Sequence, residues 1–394
     1  MSSGPIGYLI PAVLLAWCTY YVVAPRSWPR FPRSLGVYFI VVNELPFLAL
    51  LWLAGATWLT WSQGDLYSPV GWLAFGLSIL TALGLVVVIY WGLQTVPAIN
   101  SALDDGLGKG WRIAIDPQLA TRLRSRFAAS ALLGPFAIRR WTVEHLANIS
   151  YGEAGRYHLL DLYRQRSRPA HAPVLIHFHG GAFVGGKKNH DALPLLYHLA
   201  SRGWVCISAN YRLSPTVTLS EQLSDAKRVI AWVRAHGVEY DANPAALFVA
   251  GGSAGATLAA LAALTVDDTN TSLRGAILMY GFYDWPDTTS TWSPVDRQRS
   301  DVLPTSSLPR ARKDIPPLFV LHGDRDTTLP VASARRFVQD VRSISYNPVV
   351  YAELPGAEHN FDLFHSVRAE AVIHGVEAFA AWVQARASSE VERR

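Results

Sequence analysis

Charge is scarce in the first hundred residues, where only Arg26, Arg30, Arg33, Glu44 and Asp65 carry it. Across all 394 residues 16% are charged, against roughly 25% in an ordinary soluble domain. Nearly all of the 35 basic and 30 acidic residues follow position 100, so the deficit belongs to one segment. Cysteine is scarce too. Cys18 and Cys206 both lie in apolar runs, which excludes a disulfide-stapled scaffold. No internal repeat and no nucleic-acid motif is present, so the net charge of +5 is assigned to anionic lipid headgroups, with no nucleic-acid partner. No basic stretch precedes the first apolar run, which argues against a cleaved leader.

What fills the charge-poor segment is three apolar runs, 6–24, 35–59 and 70–93. Each has about the 20 residues a helix needs to cross a hydrocarbon core, so 1–95 reads as about three transmembrane helices. Trp28, Trp58, Trp61, Tyr67, Trp72, Tyr90 and Trp91 stand near the run ends, as interfacial anchors do. The loop PRSWPRFPRS has three arginines and no acid, while SQGDLYSP has one acid and no base. Lys109, Arg112, Arg122, Arg124 and Arg126 follow the third run. The positive-inside rule then puts the N-terminus outside and the large C-terminal part in the cytoplasm. Glu44 sits within the second run, where an acid is either functional or paired to fix helix packing. Ala74, Ser78 and Ala82 place small residues on one helix face.

Residues 96–142 mix arginines with apolar residues at helical spacing, as a membrane-surface helix or a cap over a pocket would. From 143 to 387 short apolar runs alternate with longer helical patterns. Strands are expected at 143–149, 157–163, 173–178, 204–209, 246–250, 275–281, 317–321 and 347–353. Helices are expected at 190–201, 219–236, 254–265, 331–342 and 366–386. This is the pattern of a mostly parallel sheet covered on both faces, with the first two or three strands as an antiparallel edge. A charged tail, 388–394, ends the chain.

Such sheets bind ligands beyond the carboxyl ends of their strands, so the residues standing there matter most. Gly251-Gly252-Ser253-Ala254-Gly255 fits G-x-S-x-G between a strand and an Ala-rich helix, the setting of a nucleophile elbow. A serine hydroxyl needs a base, and His359 stands after the last strand; His365 and His374 fall in a helical pattern and read as surface residues. The base needs an acid, for which Asp326 leads and Asp324 is the alternative. The order serine, acid, histidine is the one this architecture uses. HGGAF after the third strand offers backbone N–H groups for an oxyanion, with His179, and His177 or Tyr211, holding that loop.

HGGAF (179–183), NYRLSP (210–215), GGSAG (251–255), HGDRD (322–326) and GAEHNF (356–361) together resemble the α/β-hydrolase superfamily, specifically its hormone-sensitive-lipase-like esterases. The resemblance implies carboxylic ester hydrolysis by Ser253, Asp326 and His359, with Gly181, Ala182 and Ala254 as oxyanion donors and no metal or organic cofactor. With its apolar N-terminus the chain is also similar to isoprenylcysteine methylesterases and membrane-associated bacterial Lip-type esterases. It departs from the pattern at Ala182, where many members have glycine, and at Gly252, where many have an acid. The expected substrate is an apolar acyl ester or lipid reached from the membrane, with Trp285 and Trp292 in a segment (284–316) that lines an acyl pocket or forms a surface loop. An acyltransferase acting on a lipid or sugar acceptor, and a catalytically silent membrane scaffold, are the competing readings.

Overall fold

The computed structural model describes residues 6–24, 33–118, 134–136, 138–265, 273–283 and 313–391. Four N-terminal helices come first: α1 (Ile6–Val23), α2 (Arg33–Glu44), α3 (Pro46–Ser62) and α4 (Pro69–Leu107). Then follow β1 (Val143–Ser150), β2 (Leu159–Gln165), β3 (Ala172–Phe178), α5 (Leu193–Ser201), β4 (Val205–Ala209), α6 (Leu219–His236) and β5 (Ala242–Gly252). α7 (Ala254–Leu264), β6 (Gly275–Met279), β7 (Leu318–Gly323), α8 (Val331–Ile344), β8 (Val349–Leu354) and α9 (Val367–Val391) complete the chain. All eight expected strands form, and α9 runs past the expected boundary at 387.

The strands make one sheet in the order β1-β2-β4-β3-β5-β6-β7-β8. β2 is antiparallel to both neighbours, and every pair from β4 to β8 is parallel. The first two strands thus make the antiparallel edge, while the third belongs to the parallel part of the sheet. β4, not β3, lies beside β2, because a βαβ crossover through α5 inserts it there. Central strands such as VCISA and GAILM are buried along their whole length, since helices cover both faces. One face packs α6, α7 and α8 through residues such as Val229, Leu258 and Phe337. The other packs α5, α9 and the end of α4 through Leu196, Phe379 and Ile99.

The N-terminal unit differs from three straight spans. Among the described residues only α4 is long and apolar enough to cross a membrane, with a second span only if α2 and α3 count as one. They bend by 92° at Leu45. The reason is in the run itself: Pro46 lacks an amide donor and disfavours helical backbone at the preceding residue. α3 therefore restarts with Pro46 in its first turn. α4 has 39 residues, roughly 58 Å at 1.5 Å each, and continues through the expected boundary at 95. Ile99, Ala102 and Leu103 hold that extension by entering the sheet-facing core. Tyr8 Oη bonds Ser78 Oγ and Thr57 Oγ1, each at 2.8 Å, joining α1, α3 and α4 where the small residues Ala74 and Ser78 are buried. Within 96–142, Arg122, Arg124 and Arg126 lie outside the described residues, as do Trp28, Trp285 and Trp292.

Candidate active site

β5 runs into α7 through Ser253, whose backbone takes φ 55 and ψ −122. A side-chain-bearing residue in that region is strained and persists where its surroundings hold it, as at many reactive sites. Gly255 explains part of the tightness: a Cβ there would lie 1.9 Å from the Phe178 carbonyl oxygen, so β3 and α7 meet only over bare backbone. Ser253 remains partly exposed while its neighbours are buried.

His359 Nε2 lies 3.0 Å from Ser253 Oγ, and its Nδ1 lies 2.7 Å from Asp326 Oδ2. The three groups come from the carboxyl ends of β5, β7 and β8, where the sheet architecture places ligands. Asp326, and not Asp324, faces the imidazole. Asp324 Oδ1 instead accepts the Gly356 amide at 2.8 Å, tying two loops together. The Asp326 side chain has no solvent exposure. Its Oδ1 accepts the amides of Thr328 and Leu329, at 2.9 and 2.7 Å. His322 Nε2 lies 3.3 Å from Oδ2 on the other side. Burial alone would raise this carboxyl, but the His359 imidazole and the bonds from both histidines hold it well below the usual carboxylate range. His359 is the mirror case: burial pushes its pKa down, and the charge and bond of Asp326 outweigh that and raise it.

The HGGAF loop lies against the serine, with an ideal Cβ on Gly180 falling 3.2 Å from Ser253 Cβ. Gly181, Ala182 and Phe183 all have positive φ, of 120, 55 and 64°, which turns the backbone sharply beside Ser253. Among the described residues the amides of Gly181, Ala182 and Ala254 donate to no other protein group. Tyr211 Oη donates to the His179 carbonyl at 2.8 Å and its ring stacks on His179 at 4.4 Å, so that pair holds the loop as expected. His177 does not. Both its ring nitrogens are buried without a hydrogen bond, and burial drives its pKa down to about 4. His365 and His374 are not the surface residues expected. Both contact Glu370 at the start of α9, His365 closely and His374 at 3.4 Å.

Three further residues escaped sequence reasoning. Asp191 Oδ2 accepts the Gly180 amide at 2.7 Å and so braces the glycine loop. Tyr280 packs its ring edge-on to His359 at 4.8 Å, and its hydroxyl makes a very short bond to Asp362. That hydroxyl occupies the space beside Gly252: a Cβ there would sit 2.4 Å from it. The missing acid at 252 thus has a physical counterpart, a tyrosine and carboxylate arriving from β6 and the histidine loop. Asp362, three residues after His359, was the one signal available. Asp191 and Tyr280 carry none.

Comparison with known proteins bears on the family and the class of reaction. A family profile described as BD-FAE matches residues 160–282. A probable carboxylic ester hydrolase, LipM, of Mycobacterium tuberculosis is 36% identical over 412 residues, covering 96% of this chain and 94% of that protein. The chain belongs to the α/β-hydrolase esterases. It is a carboxylic ester hydrolase. Esterase LipQ of the same organism is 33% identical, over 75% of this chain and 77% of its own. A Thermogutta terrifontis esterase solved with butyrate bound covers 61% of this chain and 93% of its own, at TM-score 0.50 and 24% identity, and shows the shared fold. For this esterase the relatives stop at ester hydrolysis as a class. Which atoms act is argued next.

Proposed function

We propose that this protein is a membrane-held serine esterase whose nucleophile is Ser253, base His359 and acid Asp326. The observation that carries the reading is the unbroken hydrogen-bond line from Asp326 through His359 to Ser253. His359 Nε2 takes the Ser253 proton as Oγ attacks the ester carbonyl carbon. The resulting oxyanion is held by the amides of Gly181, Ala182 and Ala254, which are preorganised and make no competing bond. The imidazolium passes its proton to the departing alcohol, leaving an acyl-serine. Water then repeats the sequence with the acid product leaving. Asp326 stays ionised throughout because its carboxyl is held so low, and it stabilises the imidazolium between the two transfers.

Membrane attachment is supported by the surface of the N-terminal helices. Leu51, Trp58, Leu73, Leu80, Leu83 and Tyr90 are all more than half exposed. A soluble monomer does not present so large an apolar belt to water. On this reading α4 crosses the bilayer with α1 and α3 against it, and an apolar acyl ester reaches the site from the membrane surface.

The test is hydrolysis of p-nitrophenyl esters from C2 to C16 by the detergent-solubilised chain, beside Ser253→Ala. Loss of at least about 10⁴-fold in kcat is expected for the variant. Retained activity would sink the mechanism. Product analysis with added lipid or sugar alcohol identifies transfer, should acylated acceptor replace free acid.

A further inference from the structure

The acid and histidine loops are held from outside the catalytic domain. Arg325, beside Asp326, donates Nη1 to the Val23 carbonyl at the end of α1 at 2.9 Å. Its guanidinium lies 4.2 Å above the ring of Trp91 on α4. Trp91 also lies flush on the first turn of the histidine loop: a Cβ on Gly356, at φ +65, would meet the indole at 2.4 Å. Asn43 Nδ2, from the end of α2, donates to the Gly356 carbonyl at 3.1 Å. Glu44 pairs closely with Arg368 and accepts Ser366 Oγ at 2.6 Å. Arg368 in turn donates to the Pro355 carbonyl at 3.2 Å, and Ser366 Oγ caps the Ala369 amide of α9 at 3.0 Å. The loop bearing His359 is thus gripped at its first residues by Asn43 and Trp91 and at its last by Glu44.

Both partners of the Glu44–Arg368 pair have 1% side-chain exposure. Desolvation of two charges cancels much of their attraction, so such a pair contributes little net stability while fixing one geometry sharply. Its place is informative. Leu45, where α2 and α3 bend, is what brings Asn43 and Glu44 to the loop end instead of leaving them mid-helix. The remaining ties run between the two loops themselves. Arg325 N donates to the Ala357 carbonyl at 3.1 Å, and Glu358 accepts the Thr327 amide at 2.6 Å. Any shift of one loop is therefore carried to the other.

We infer that Asn43, Glu44 and Trp91 are positioning residues for the hydrolytic centre: the N-terminal helices set the distance between Asp326, His359 and Ser253 as well as anchoring the chain. This rests on the reading of those three residues as the catalytic set. None of the helix residues touches substrate; they act through the two loops. A displacement on the order of 1 Å at a reacting group lowers rate by about 100-fold, so a hold of this kind has leverage.

Two variants of the full chain in detergent micelles test the inference, with p-nitrophenyl butyrate as substrate. Asn43→Leu removes one tether at nearly constant volume. Glu44→Gln/Arg368→Met removes both buried charges together and strands neither. His359 is faced by Asp326, Glu358, Asp362 and Tyr280, and only its contact with Asp326 depends on the loop-to-loop distance. The expected result is kcat lower by about 10- to 100-fold with KM unchanged, and an acid limb of kcat/KM moved to lower pH as Asp326 slackens from the imidazole. A tether that merely stabilises the fold lowers the melting temperature and leaves kcat and the acid limb of the folded protein alone. That outcome overturns the inference. Ser253→Ala, run in parallel, separates the two claims: if it is inert while both tether variants keep wild-type kcat and pH profile, only the positioning role fails. If Ser253→Ala still turns over, both fail.

Discussion

His359 works between two carboxylates with different duties. Asp326 bonds its Nδ1, and its carboxyl is held far too low to protonate in any working range. Asp362 is fully enclosed, and burial, aided by the charge of Asp191, raises its pKa to about 6 despite the Tyr280 bond. Both charges favour the imidazolium, together with Glu358, so the base titrates above its ordinary value. As the proposed base, His359 acts only when neutral, and activity is therefore expected to fall as pH drops through that raised value. Asp362→Asn keeps the shape and deletes one charge. Its acid limb is expected at lower pH than wild type, so it retains a larger share of its pH 8 rate at pH 6.5. An unchanged limb in a kcat/KM profile from pH 5 to 9 would remove Asp362 from this role. The meeting of Ser253, Asp326 and His359 was legible because each follows a strand and lies in a short motif. Tyr280 was not, since its meaning comes from a contact with Asp362, 82 residues away.

At the scale of elements, α9 begins on a cluster that responds to acid. Glu370 meets His365 and His374, and its carboxyl is lowered to about 2 although burial alone would raise it. A depressed carboxyl stabilises the fold above its unfolded pKa of about 4.3, and the benefit disappears as pH falls through the folded value. The difference is worth at most about 3 kcal/mol. Glu370→Gln is therefore expected to lower the melting temperature at pH 7 by several degrees and to match wild type near pH 2. A constant gap between the two proteins across that range would rule the cluster out as the cause. Sequence patterning found the strands because runs such as VLIHF and LFVL have no polar face and stop at glycine or histidine. It misjudged the helices at both kinds of boundary. Pro46 breaks an apolar run that composition joins, and α4 continues past Gln94 where composition changes. Tertiary packing decides the second case: Ile99 lies against Gly375 of α9, a contact no local pattern reports.

Considered whole, the molecule has a direction. α1 and α4 run the same way, since Tyr8 meets Ser78, Thr19 lies against Gly84 and Val23 meets Arg325 beside the active site. Both helices run towards the catalytic layers. α4 is roughly 58 Å long, against a hydrocarbon core of about 30 Å, so it has length both to span and to seat Ile99 and Leu103 beneath the sheet. A spanning α4 puts Pro69 and Ser253 on opposite sides of the bilayer. On the proposed attachment, Lys109 and Arg112, which follow α4 at its catalytic end, put that end in the cytoplasm by the positive-inside rule. A fluorescent protein fused after Arg394 is expected to fluoresce in the cytoplasm, and alkaline phosphatase at the same point to be inactive. The reverse pair would invert the orientation while leaving the site chemistry intact. Both reporters active in the soluble fraction would instead mean that the apolar belt is covered by something other than lipid.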